Sequence, residues 1–173
     1  WSTTEPTATA GNNTIYVRQT DAAGNTSAVS SLSFTLDQTA PAALSLALNT
    51  DTGSSSSDNT TSDGSYTVSG VETGATVEYS TDNSTWSTTA PTATEGSNTI
   101  YVRQLDEAGN TSAVSSPLTF TLDTLAPSVA ITSSASSSDE TPVIGGTAEA
   151  ASSVSLSIGG AVFNTTATGG TWS

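Results

Sequence analysis

The chain reads Asn-Thr-Ile-Tyr-Val-Arg-Gln at residues 98–104, and this short stretch decides the fold class. Its apolar and polar side chains alternate, so Ile100 and Val102 share one face while Tyr101 and Arg103 share the other. A period of two residues is typical of a half-buried β-strand. Five further segments, each separated from the next by a turn or loop, are predicted strands: 43–48, 65–69, 75–80, 85–88 and 117–122.

The same stretch occurs earlier in the chain, which indicates a tandem repeat. Residues 13–19 carry the identical seven letters, 85 positions before Asn98. Residues 34–37 match 120–123 at a shift of 86, because Pro117 is an inserted residue. A regular period of this length is the signature of an array of similar modules.

The repeat predicts one whole module and two partial ones, and the array is expected to continue beyond both ends. We predict the C-terminal half of a module at 1–37, a complete module at 38–123 and the N-terminal half of a further module at 124–173. About 85 residues of short strands with frequent turns suit an immunoglobulin-like sandwich. The expected fold is therefore all-β, in tandem immunoglobulin-like β-sandwich modules. The predicted core comprises Val68, Val77, Tyr79, Ile100, Val102, Leu118, Phe120 and Leu122, and Trp86 is expected to cap it.

Composition argues against several classes of function. The chain has 16 acidic residues, two basic ones, no histidine and no cysteine, for a formal charge of −14. Binding to nucleic acid or to an anionic membrane surface requires cations, so neither is an expected partner. The usual nucleophile–base pairs and histidine zinc sites cannot be built, so no enzyme is expected. No apolar run approaches the roughly 20 residues of a membrane span. The two arginines, Arg18 and Arg103, are expected on the outer face of the sheet, each paired with an acid.

The acidic residues fall largely in turns and linkers, and this distribution favours a cation site where one module meets the next. The turn before the last strand, the exit from that strand and the first loop of the following module are expected to converge there. The first predicted junction combines Asp21, Asn25 and Asp37 with Asp51, Asp58 or Asp63, and the second combines Asp106, Asn110 and Asp123 with Asp139 or Glu140. Ca²⁺ takes six to eight oxygen ligands of these types. The alternative is a set of ordinary turns in which an aspartate binds its own backbone, and spacing leaves both interpretations open.

The chain also resembles a known class of module. Asp-x-Ala-Gly-Asn-Thr-Ser at 106–112 and Phe-Thr-Leu-Asp-x-x-Ala-Pro at 120–127 are similar to the bacterial Ig-like repeats of giant RTX-type surface adhesins. Residues 138–154 look like a sister subtype. The resemblance implies type I secretion, an extracellular position at the bacterial cell surface, and a stalk that supports cell adhesion and biofilm formation. It also implies Ca²⁺ at the positions where the motif matches, Asp21, Asp37, Asp106 and Asp123.

Three functions follow from these patterns. The leading one is a structural extender whose partners are neighbouring repeats of the same array, with Ca²⁺ stiffening the junctions. A second is a weak, multivalent module that binds a glycan or a protein through avidity. A third is a subunit of an extracellular filament, in which the half-module 124–173 of one copy is completed head to tail by 1–37 of another.

Overall fold

A computed structural model describes residues 1–53, 55–134 and 136–173, and every regular element in them is a β-strand. The strands are β1 (Gly11–Val17), β2 (Ser30–Leu36), β3 (Ser45–Leu48), β4 (Thr60–Thr61), β5 (Tyr66–Ser69), β6 (Thr76–Ser80), β7 (Gly96–Leu105), β8 (Leu118–Leu122), β9 (Val129–Ile131), β10 (Gly146–Ala148), β11 (Ser153–Ile158), β12 (Ala161–Thr166) and β13 (Thr171–Trp172). The described residues contain no helix with the length and hydropathy of a membrane span. Two compact units, Trp1–Thr124 and Leu125–Ser173, are described separately below.

The first unit contains a sandwich of two sheets. One sheet has the order β4-β8-β7-β6, and the other pairs β3 with β5. Strand β7 runs antiparallel to both of its neighbours, whereas β4 runs parallel to β8. The β4–β8 pairing includes hydrogen bonds from the Thr121 amide to the Asn59 carbonyl (2.8 Å) and from the Asp123 amide to the Thr61 carbonyl (2.9 Å).

The predicted core is confirmed at its centre. Four of its members are buried, namely Ile100, Val102, Phe120 and Leu122. The others, Val68, Val77, Tyr79 and Leu118, are half-buried. Leu44 is buried as well, although sequence analysis did not include it. The alternation of residues 98–104 therefore identified the inward face of the sheet correctly.

Five of the six predicted strands are present, with small differences at their ends. The predicted strand 85–88 is wrong, because only Ser87 pairs there, through a single bridge to Tyr79. Strand β4 was missed, since two polar threonines carry no alternation that a periodicity argument can detect. Trp86 is half-buried and lies against Arg103, on the opposite face of β7 from Ile100 and Val102, so the expectation that it caps the core is wrong.

A buried glutamine connects the two sheets of the sandwich. Gln104 lies on the same face of β7 as Ile100 and Val102, and its side chain is fully buried. Its Oε1 accepts a hydrogen bond from the Glu72 amide (2.9 Å), and its Nε2 donates to the carbonyls of Ala42 (2.8 Å) and Gly70 (3.2 Å). These bonds fasten the segments on either side of the β3–β5 sheet to the centre of the module.

The hairpin formed by β1 and β2 has the same register as β7 and β8. Gly11 pairs with Leu36, just as Gly96 pairs with Leu122. The surroundings differ, because Val17 is 65 % exposed whereas its equivalent Val102 is 0 % exposed. The same sequence thus forms the same hairpin whether or not other strands cover it.

The second unit contains a three-stranded sheet, β13-β10-β9, and the hairpin β11-β12. Its small core consists of Val154, Ala167 and Trp172. The Trp172 indole donates a hydrogen bond from Nε1 to the Thr147 carbonyl (3.2 Å). Trp172 is buried, whereas Trp86, its counterpart in the repeat, is only half-buried.

Candidate functional site

The turn that follows β7 is closed by its own aspartate. Asp106 Oδ1 accepts hydrogen bonds from the amides of Ala108 (2.9 Å) and Asn110 (2.8 Å), and Oδ2 accepts one from Asn110 Nδ2 (2.8 Å). Gly109 takes a φ of 89°, a conformation that glycine adopts without strain. The Asn110 side-chain hydrogen bond is the largest cause of a lowered pKa at Asp106, supported by the turn amides. These contacts satisfy the carboxylate within the turn.

The equivalent turn after β1 repeats this geometry. Asp21 Oδ1 accepts hydrogen bonds from the amides of Ala23 (2.9 Å) and Asn25 (2.8 Å), and Oδ2 accepts one from Asn25 Nδ2 (2.8 Å). The pKa of Asp21 is likewise lowered, first by the Asn25 side chain. Asp106 and Asn110 are half-buried, whereas Asp21 and Asn25 are exposed. Since both turns make the same hydrogen bonds, the local sequence is sufficient to form the turn.

The predicted grouping of these turns with the strand exits is wrong. Asp106 follows Leu105 at one end of β7, whereas Asp123 follows Leu122, which pairs with Gly96 at the other end. A ten-residue strand such as β7 spans about 30 Å. The β1–β2 register separates Asp21 from Asp37 in the same way. A turn between two antiparallel strands and the exit from the second strand necessarily lie at opposite ends of the hairpin.

The structure instead brings the linker before the complete module to the 106–110 turn. Asn110 Nδ2 donates a hydrogen bond to the backbone carbonyl of Asp37 (3.2 Å). The Asp37 side chain accepts a hydrogen bond at Oδ1 from the Thr39 amide (2.9 Å). The entry end of the module therefore combines Asp37, Asp106 and Asn110, which sequence analysis had assigned to two different junctions.

The exit end of the module contains the loop acids. Strand β4 lies beside β8, and the loop before it carries Asp51 and Asp58 while Asp63 follows it. The buried Thr61 organises this region, since its Oγ1 donates to the Thr50 carbonyl (3.0 Å) and accepts from the Asp63 amide (3.0 Å). Assignment of these three acids to the first junction with Asp21 and Asp37 is therefore wrong, because they lie near Asp123.

One carboxylate oxygen in this loop is unlike the others. Asp51 Oδ2 accepts a hydrogen bond from the Asn59 amide (3.0 Å), but Oδ1 is buried and has no hydrogen-bond partner among the described residues. A buried polar atom without a partner is rare in folded proteins. Carboxylate oxygen is the preferred ligand of Ca²⁺, and backbone and hydroxyl oxygens of the same loop could contribute further ligands. The chemistry at Asp51 therefore fits a hard cation.

The other loop acids make local turns. Asp58 Oδ1 accepts from the Thr60 amide (3.0 Å), and Asp63 Oδ1 accepts from the Ser65 amide (3.0 Å). Hydrogen bonds from Ser65 hold the pKa of Asp63 below its ordinary value. Within the described part of the chain, no group of three or more acidic, histidine or cysteine side chains is arranged to hold a metal ion. Ca²⁺ binding by the predicted residues stays a prediction.

Two acids at functionally suggestive positions were not found by sequence reasoning. Glu95 accepts hydrogen bonds from the Thr124 amide (3.1 Å to Oε1) and from Thr124 Oγ1 (2.8 Å to Oε2), and so fixes the chain where it leaves the module. Asp82 closes the turn after β6, and the amides of Thr85 and Ser84 are the main causes of its lowered pKa. Glu95 is matched by Ala10 in the repeat, so the repeat gave no signal for it.

The remaining predicted ligands belong to the second unit. Asp139 is exposed, and its Oδ1 accepts a hydrogen bond from the Thr141 amide (2.9 Å). Glu140 is also exposed. This arrangement is an ordinary turn closed by an aspartate.

The two arginines stack on equivalent tryptophans. Arg103 Cζ lies 4.2 Å from the centroid of the Trp86 ring, and its Nε lies 2.7 Å from Glu78 Oε2. Arg18 Cζ lies 4.3 Å from the Trp1 ring centroid. The Arg103–Glu78 contact is the only ion pair in the described residues. The predicted acidic partner is thus confirmed for Arg103 and not found for Arg18.

Comparison with known proteins identifies the class of module. A family model described as a bacterial Ig-like domain matches residues 38–124, which is half of the chain. No curated protein matches the sequence. Domains of this type are typically surface-protein repeats without catalytic activity. The match agrees with the sandwich described above, and the chain belongs to the bacterial Ig-like domain family.

Proposed function

We propose that this chain is an extender, or stalk, segment of a bacterial cell-surface adhesin of the RTX type. The observation that carries the proposal is the repetition of one hairpin, with the same register and the same arginine–tryptophan stack, in β1–β2 and β7–β8. A unit that repeats its structural parts, and whose described residues form no metal-binding cluster, is suited to supplying length. Such a segment holds a distal adhesive domain away from the cell, in an extracellular position, and so promotes adhesion and biofilm formation.

Adding modules tests the extender role directly. Each further copy of residues 38–123 should increase the maximum dimension by a constant increment of about 30–40 Å, the length of one sandwich. Small-angle X-ray scattering on chains with one, two and three copies measures this increment. Chains that stay the same length as modules are added would contradict the proposal.

Ca²⁺ is proposed as the stiffening ion of the array. Asp51 is the best-supported ligand, because its buried Oδ1 lacks a hydrogen-bond partner among the described residues. Asp123, Asp58 and Asp63 lie at the same end of the module, whereas Asp37, Asp106 and Asn110 lie at the entry end. A divalent cation would also offset part of the formal charge of −14. The bound ion would reduce the freedom of the acidic loop.

Calorimetric titration with CaCl₂ and thermal unfolding with and without chelator test the ion. Asp51→Asn should abolish binding, whereas Glu5→Gln, which removes the same charge from an exposed position, should leave it unchanged. At 100 times the dissociation constant, Ca²⁺ should stabilise the module by about 2.7 kcal/mol. Equal melting temperatures in calcium and chelator would eliminate the metal while leaving the extender function intact.

A second candidate function is self-association into a head-to-tail filament. Ile15 in the β1–β2 hairpin is 43 % exposed and its equivalent Ile100 is 2 % exposed, so further residues complete this hairpin, either from the same array or from another copy. Completion of this half-module by 124–173 of another copy would bury such residues. Light scattering should then show a mass that increases with concentration, and a monodisperse monomer would refute the filament.

A further inference from the structure

The outer edge of β5, inside the complete module, has no strand beside it among the described residues. Strand β5 pairs with β3 alone, and the nearby segment 87–95 forms no backbone hydrogen bond to it. Pro91 in this segment has no amide hydrogen to donate. The Tyr66 hydroxyl donates a hydrogen bond to the Pro91 carbonyl (3.0 Å), so the segment is held by a side chain of β5 and not by its backbone.

The register with β3 shows which backbone groups of β5 face this open edge. The Asn49 amide donates to the Ser65 carbonyl (3.1 Å), which continues the antiparallel register of β3 with β5. Hydrogen-bonded and non-hydrogen-bonded pairs alternate along antiparallel strands. Thr67 therefore bonds to β3, while the amides and carbonyls of Tyr66 and Val68 point towards the open edge. Unpaired groups of this kind are a template for the addition of another strand.

An elongated groove runs along the same edge. Its volume is about 910 Å³, which lies within the range of ligand-binding sites. Residues 62–68 line it without interruption, and segment 90–93 contributes further lining. A chain of this length spans up to about 20 Å when it is extended. The groove therefore suits an extended occupant better than a compact one.

The side chains of the groove favour a basic occupant. Asp63 is the only charged side chain among the described residues that line it, and hydrogen bonds from Ser65 hold the pKa of Asp63 below its ordinary value. Two of the four tyrosines in the chain, Tyr66 and Tyr79, line the same groove. Tyrosine rings attract the cations of lysine and arginine. The formal charge of −14 steers basic partners towards the chain and repels acidic ones.

We propose that β5 is the docking edge for an extended, basic segment of a partner protein, which adds as a strand and places a lysine or arginine beside Asp63. The added strand bonds to the backbone of Tyr66 and Val68, and its cation contacts the tyrosine rings. A chain with several such modules offers several sites, so avidity strengthens a weak single contact. The inference goes beyond the extender function, because an extender with this edge is also adhesive along its length.

The test is a titration of the ¹⁵N-labelled chain with a synthetic peptide of about six residues, a common strand length, in which lysine alternates with threonine. NMR spectra are recorded in chelator, so that Ca²⁺ does not compete for Asp63. At ten times the dissociation constant, amide hydrogen exchange should slow about tenfold at Tyr66 and Val68. Exchange at Thr67, whose amide already bonds to β3, should stay unchanged. A peptide with glutamate in place of lysine should bind at least about fivefold more weakly.

Two matched variants test the role of the charge. Asp63→Asn keeps an oxygen that accepts from the Ser65 amide, so the turn is retained, and binding of the lysine peptide should weaken about fivefold. Asp58→Asn removes the same charge from a turn that the Thr60 amide closes in the same way. Because Asp58 does not line the groove, the affinity should then change by less than about twofold.

Three results would overturn the proposal. The first is equal affinity of the lysine and glutamate peptides, or equal effects of the two substitutions. The second is unchanged exchange at Tyr66 and Val68 when the peptide is bound. The third is tighter binding of cellohexaose than of the lysine peptide, which would assign the groove to a neutral glycan.

Discussion

Replacement of Gln104 by leucine tests how the sandwich is held together. The substitution retains a side chain of similar length but removes three hydrogen bonds, one accepted and two donated by Gln104. The Glu72 amide and the carbonyls of Ala42 and Gly70 lose their partner. At about 1 kcal/mol for each bond, the loss of unfolding free energy is about 3 kcal/mol. For a module of this size, that corresponds to a fall in melting temperature of about 15 °C.

Differential scanning calorimetry measures this effect, and the repeat supplies the control. Gln19 occupies the same position in the β1–β2 hairpin, where it is exposed. Surface substitutions usually have small effects, so Gln19→Leu should change the melting temperature of the complete module by less than about 2 °C. A loss below about 1 kcal/mol for Gln104→Leu would refute the assignment of a stabilising network. Equal effects of the two substitutions would refute it too.

Three further predictions concern the same unit. Arg103→Ala should lower the unfolding free energy by about 1 kcal/mol in urea titrations, because it removes a cation–π contact and a partly exposed ion pair, whereas Arg18→Ala should have no effect on the module. Thr61→Val should cost about 2 kcal/mol by the same method, since the hydrogen bonds of a buried hydroxyl to the Thr50 carbonyl and the Asp63 amide, the shortest it makes, are lost, and an unchanged midpoint would contradict this. Asp106 has a lowered pKa in the folded state, so its contribution to stability is present at neutral pH and is lost as pH falls below about 4. Melting curves recorded between about pH 2 and pH 7 should therefore show that the melting temperature of Asp106→Asn depends less steeply on pH than that of the natural chain.

Strand positions could be predicted from sequence because alternation reports directly on burial. Ile100 and Val102 alternate with polar neighbours, and both proved buried. Gln104 lies two residues after Val102, so the alternation alone could have identified it as an inward residue despite its polarity. Strand β4 could not be found in this way, since its short run of threonines is held by pairing with β8, a strand some 60 residues away in the sequence.

The candidate site was predicted in its parts but not in its assembly. Local sequence determines each aspartate turn, as the matching contacts of Asp21 and Asp106 demonstrate. Strand direction determines which turns lie at the same end of the module. The predicted junctions were grouped by motif alone and did not take strand direction into account. The contact between Asn110 and Asp37 joins residues far apart in sequence and follows from topology. The unpartnered oxygen of Asp51 likewise depends on the packing of its loop.

The parallel pairing of β4 with β8 has a mechanical consequence for a chain under tension. A pull along the array draws the start of the module and its exit in opposite directions. Antiparallel strands joined by a turn can separate one bond at a time, but neighbouring parallel strands drawn apart lengthwise must slide, so their hydrogen bonds bear the load together. The hydrogen bonds from Thr121 to Asn59 and from Asp123 to Thr61 join the two strands that would slide past each other. A few short bonds placed there resist stretching more effectively than the same number in a hairpin.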